Sequence, residues 1–133
     1  AIQAVKKNNK IGKIQITASD FGPNLMENVE KQEISAMSGG HHTDPMFAFM
    51  LTYNFVDGTP LSDKPETIIM DPIYVSSVDE VKDYFKYCVE QKPYSPEEIK
   101  NMTVRYNPDF SIEKLKEIAA HYSLKDLKAR HGE

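Results

Sequence analysis

Apolar and polar residues alternate along the first half of this chain and recur at helical spacing along the second, with the change near Val75. The densest apolar stretch runs from Phe47 to Val56. Phe47, Phe49, Leu51, Tyr53 and Phe55 share one face if the segment is extended, because strand side chains alternate sides. That density predicts the central strand of a sheet with its aromatic face on the core, ended by a turn at Asp57-Gly58. Ile2–Lys6 and Lys13–Thr17 read as a first hairpin across the polar turn Lys7–Lys10. Leu25, Met26 and Val29 carry helical spacing while Ile34 and Ala36 alternate. A strand over about Val29–Met37, paired with the central strand, is the expectation there. Ser38–Pro45 and Thr59–Pro65 read as long polar loops. Thr67–Met70 and Ile73–Val75 are β-rich but broken by Asp71-Pro72, so this strand is bulged or lies at a sheet edge.

The second half is punctuated by serines. Ser77 with Glu80 forms a capping box ahead of Val78, Val81, Tyr84, Phe85, Cys88 and Val89, which repeat at helical spacing. The helix ends before Lys92-Pro93. Ser95-Pro96-Glu97-Glu98 begins another with a second capping box. Met102–Tyr106 reads as extended. Ser111 caps a helix with Ile112, Leu115, Ile118, Ala119 and Tyr122 on one face, and Ser123 with Asp126 starts a last short turn. The tail Lys128–Glu133 is expected to fray. The fold class expected is α+β, in one domain over residues 1–133. Residues 1–75 are mainly an antiparallel, hairpin-built sheet, and residues 76–133 form two to four short helices packed on one face.

Composition narrows the function classes. The 133 residues suffice for one domain with a real core, and the net charge of −4 offers no global basic field for nucleic acid. Cys88 is the single cysteine, which excludes an intramolecular disulfide and favours synthesis in a reducing compartment or incorporation into a particle. No apolar run is long enough to span a bilayer, so no membrane partner is expected. No repeat or low-complexity tract is present.

Chemistry-bearing residues are sparse. His41-His42-Thr43-Asp44 is the sharpest candidate: His41, His42 and Asp44 are metal-ligand types, and Gly39-Gly40 would let the backbone fold round an ion. A solvated polar loop accounts for the same residues, since no third-ligand spacing accompanies them. Asp20-Phe21-Gly22 matches a kinase triplet, but every companion kinase motif is missing. Cys88 sits on an apolar helical face and reads as a buried structural thiol. The four serines are explained by capping, and none lies in a nucleophile elbow. Lys125, Lys128 and Arg130 form a basic tail interleaved with acids, a solvated face by default. Tyr53, Tyr74, Tyr94 and Tyr106 exceed what the core strand can use and are interface candidates.

These residues lead to a non-catalytic structural or adaptor protein, without a cofactor, that assembles with itself or into a larger complex, such as a small accessory component of a virus particle. The alternative is a metal-binding protein or metal-dependent enzyme using His41, His42 and Asp44. A weaker alternative is a nucleic-acid-associated protein using Lys125, Lys128 and Arg130.

Overall fold

A computed structural model describes residues 1–133 and gives a mixed α+β fold: seven α-helices and a three-stranded sheet. The strands are β1 (Thr17–Ser19), β2 (Ala36–Gly39) and β3 (Ile73–Val75), in the order β1-β2-β3. β1 runs parallel to β2, with Ala18 beside Met37, and β2 runs antiparallel to β3, with Ser38 beside Tyr74. All three strands lie in the first half, as expected, but they do not form hairpins. β3 is an edge strand, in line with Pro72, which has no N–H to donate to a ladder.

The first expected hairpin is replaced by helix α1 (Ile2–Lys7), whose Ile2 and Val5 are half-buried one helical turn apart. Five residues cannot separate a period of two from a period of three or four. The helical and strand signals of Leu25–Met37 are both realised, in sequence. Helix α2 (Leu25–Glu30) buries Leu25 and Val29, and the chain then turns through Gln32 at φ 55° into β2. A helix between β1 and β2 is what a parallel pair requires, since no tight turn can join parallel strands.

The largest departure concerns Phe47–Val56. It is not a strand but most of helix α3 (Asp44–Val56), which begins with Asp44 and Pro45 in the first turn and ends at Asp57 and a left-handed Gly58. Apolar residues occupy both strand and helix positions here, so periodicity cannot choose between them. Phe47, Met50 and Asn54 face the core, a helical stripe. The predicted pairing of this stretch with Val29–Met37 therefore does not exist.

The second half follows its serines. Ser77, Ser95, Ser111 and Ser123 each accept a hydrogen bond from the backbone N–H three residues on. They start helices α4 (Val78–Tyr84), α5 (Pro96–Asn101), α6 (Ile112–Ala120) and α7 (Leu124–Arg130). Both capping boxes are closed, by Glu80 and by Glu98. α4 continues as a π-helical segment, Phe85–Glu90. The wider turn moves Tyr87 into the core beside Cys88 and leaves Phe85 and Val89 exposed, against the α-helical register expected for them. Met102–Tyr106 is a run of turns, not an extended segment. The tail does not fray: α7 reaches Arg130, and the Glu133 carboxylate accepts hydrogen bonds from Lys86 Nζ at 2.6 Å and from the Tyr87 hydroxyl.

One core joins the two halves. Met37, Ile73 and Val75 on one face of the sheet belong to the same buried cluster as Val81, Leu115, Ala119 and Leu127. The other sheet face, with Thr17, Ser19 and Tyr74, is open. No helix is long and apolar enough to cross a membrane.

Candidate functional site

Helix α3 has the most unusual surface in the molecule. Between Asp44 and Asp57 it carries no charged side chain. Its inner face is anchored by Asn54, which is fully buried and fully partnered. The Asn54 Nδ2 donates to the carbonyls of Met50 at 2.8 Å and Met102 at 3.1 Å, and its Oδ1 accepts from the Val104 N–H at 2.8 Å. A buried amide in this state holds one orientation, because every alternative leaves polar groups unpaired. It fixes the rotation of α3 and thereby decides which residues face out.

The residues facing out are large and apolar. Phe49 is 58% exposed, Phe55 71% and Val56 78%. Phe49 lies against Tyr53 one turn on, with ring centroids 6.2 Å apart. Beyond the C-terminal end of α3 the rim is cationic and aromatic. Arg105 donates to Asp57 at 3.1 Å, and Lys100 Nζ sits 4.7 Å above the Tyr106 ring. Along the other flank two concavities share Leu51 and Glu66: one of about 300 Å³ against the Pro60–Pro65 loop, and one of about 490 Å³ against Ile68–Met70. Glu66 is held there by Lys116 at 2.5 Å and by the Ser62 hydroxyl at 2.8 Å, and these hydrogen bonds keep its carboxyl below the usual range.

The tyrosine candidates separate. Tyr74 and Tyr106 are exposed and Tyr53 is half-buried, so all three have surface open to solvent. Tyr94 does not: it is 4% exposed, edge-on to Phe47 at 6.2 Å, with the Arg130 guanidinium 4.9 Å from its ring. Its hydroxyl is buried without a partner, and burial raises its pKa. The sequence places Tyr94 between a proline and a capping serine, which reads as surface. Only tertiary structure encloses it, by bringing Phe47 of α3 and Arg130 of α7 against its ring.

The histidine stretch is not the long polar loop expected. Gly39 ends β2 under the Phe21 ring, where a Cβ would lie 2.9 Å from the nearest ring carbon, and Gly40 takes the left-handed conformation at φ 88°. A 3-10 turn, His41–Thr43, then leads into α3. His41 Nδ1 lies 3.4 Å from Asp44 Oδ2 and borders the groove beside Ile68–Met70. His42 turns the other way, edge-on to Tyr84 at 6.3 Å, and borders a separate cleft of about 510 Å³ with Met46, Pro93 and His131. No group of three or more His, Cys, Asp or Glu side chains is placed to hold a metal ion.

The basic candidates are engaged with acids. Lys128 donates to Asp83 at 2.7 Å, while Arg130 bridges Glu98 and Asp126, each at 2.7 Å. Lys125 is exposed. The Cys88 thiol is buried, and burial pushes its pKa up to about 12, so it is neutral near pH 7 and a poor nucleophile. The Tyr122 hydroxyl lies 2.9 Å from Thr43 Oγ1 and donates to the Gly40 carbonyl at 3.3 Å, a buried link between the histidine turn and the connection from α6 to α7. None of these groups forms a nucleophile, base and orienting acid in hydrogen-bonded series. No protein family, curated protein or solved structure matches this chain.

Proposed function

We propose that this chain is a non-catalytic assembly component that associates with a second copy of itself through the outer face of α3. The observation that carries this reading is the exposure of Phe49, Phe55 and Val56 on a helix with no charge for twelve positions, Pro45 to Val56. A helix that is apolar all round is ordinarily covered all round. Exposed apolar patches rimmed by polar groups mark interaction sites, and the Arg105, Lys100 and Tyr106 rim has the composition of an interface border. Tyr53 and Tyr106 lie at that border, and Tyr74 lies on the open sheet face. The metal alternative on His41, His42 and Asp44 has less support, since the two rings border different concavities. The nucleic-acid alternative is weakened by the acids that engage Lys128 and Arg130.

The test is absolute mass in solution by light scattering, from micromolar to millimolar chain. The native protein is expected to form a defined oligomer. Phe49→Lys with Val56→Lys should shift assembly to at least about tenfold higher concentration. Unfolding should be barely affected, within about 0.5 kcal/mol, as for other exposed positions. A native chain that stays monomeric throughout overturns the reading.

A further inference from the structure

The segment Pro65–Pro72 runs without helix, turn or bend and leads directly into the edge strand β3. No residue from Pro60 to Pro72 donates or accepts a backbone–backbone hydrogen bond. Its side chains nevertheless alternate as a strand's do. Glu66, Ile68 and Met70 are half-buried, while Thr67, Ile69 and Asp71 are exposed, Ile69 at 72%. Local sequence points to strand as well, with Thr67, Ile68 and Ile69 β-branched and consecutive. Composition, alternation and straightness therefore agree on a strand, and only the partner is missing. A row of open N–H and C=O groups on an apolar edge is a template for another strand. Beside it lies not backbone but the groove of about 490 Å³, floored by Ala48 and Leu51 of α3.

We infer that the same segment of a second copy fills this position, pairing antiparallel with Thr67–Asp71 across a two-fold axis at Ile69. This rests on the assembly reading above and names its contact. The register follows from the alternation. Residues directly opposite share a face, so the axis must pass through a residue and not between two. Centring it on Ile69 sets that exposed side chain against its copy, Ile68 against Met70, and the Thr67 hydroxyl against the Asp71 carboxylate. No like charges stand opposite each other, and Glu66 is already engaged by Lys116. The contact is isologous, the arrangement of most two-fold dimers. Leu51 and Phe55 of α3 line the concavities beside this stretch, so the new ribbon adjoins that flank of α3.

With Ile69 and its copy as a hydrogen-bonded pair, the N–H groups of Thr67, Ile69 and Asp71 point at the partner strand and those of Ile68 and Met70 point away. Hydrogen exchange of the backbone amides of Thr67, Ile69 and Asp71, followed across the same concentration range as the mass, tests the contact. These amides should exchange fast in the monomer and at least about tenfold more slowly in the oligomer, as ladder amides do. Ile69→Lys places two like charges opposite each other, and Ile69→Pro removes an N–H. Each should weaken association about tenfold or more while leaving the monomer's melting unchanged. An oligomer whose Thr67, Ile69 and Asp71 amides stay unprotected, or that survives both substitutions, overturns strand pairing and leaves assembly through α3 standing. A chain that never associates overturns both.

Discussion

Helices α3 and α6 bury the same stripe. Phe47, Met50 and Asn54 in one, and Ile112, Leu115 and Ala119 in the other, follow the spacing i, i+3, i+7. Their outer faces have little in common. α6 turns Glu113, Lys114 and Glu117 to water, whereas α3 turns out Phe49, Phe55 and Val56. The inner stripe is what the fold demands of any helix packed on a core. The outer face is free of that demand, so an apolar outer face points to something beyond folding. α6 turns a charged face to water, and α3 turns out an apolar one, which the proposed assembly would cover.

Three measurements break or sharpen the contrast. The largest effect is expected from Leu115→Ala, which deletes a fully buried side chain and should lower unfolding free energy by about 3 kcal/mol, read by urea denaturation. Phe49 is bulkier than Leu115, yet its removal should cost far less, and equal losses would erase the distinction between the two faces.

Asn54→Ala comes next. It leaves the Val104 N–H and the Met102 carbonyl without their side-chain partner in the core, for a loss of roughly 2 kcal/mol. It should also loosen the rotation of α3, so amide exchange across Asp44–Val56 should accelerate more than across Ile112–Ala120. Uniform acceleration of both helices would show that Asn54 contributes stability without orienting α3.

The smallest effect is expected from acid. The Glu80 carboxyl is held below its usual range chiefly by the Ser76 backbone N–H. Burial raises that of Glu98, but hydrogen bonds from Ser95 and Arg130 outweigh it and leave it lowered. A carboxyl whose pKa is depressed on folding stabilises the fold above its unfolded value of about 4.3 and loses that contribution as pH falls through the folded value. Between pH 5 and pH 3 the starts of α4 and α5 should therefore open first. α3 has no acid-titrating group between Asp44 and Asp57 and should outlast them. Segment-resolved hydrogen exchange that finds α3 opening first would reverse this order.

How much of this was legible beforehand depends on whether the signal is local. The starts of α4, α5, α6 and α7 were, because a cap is made by a serine and an amide three residues away. So were the buried thiol of Cys88, the edge position of the strand after Pro72, and a mixed α+β class. The histidine pair and the aromatic run were visible as residues but not as surfaces. Nothing local says that Gly39 makes room for Phe21, that Tyr94 is enclosed by α3 and α7, or that His41 and His42 part company.

By itself, then, the sequence determined where α4, α5, α6 and α7 begin, that Ile73–Val75 is extended, and that Phe47–Val56 is rich in large apolar side chains. Whether that run is strand or helix, and which of its aromatics are inside, was decided only by the tertiary structure. A segment apolar at nearly every position satisfies both periods, so the choice falls to partners distant in sequence. Here those partners are the backbone groups of Met102 and Val104, which the Asn54 amide must reach. The parallel pairing of β1 with β2 and the π-helical register after Tyr84 are decisions of the same kind, since each depends on what packs against the element and not on the element's own residues.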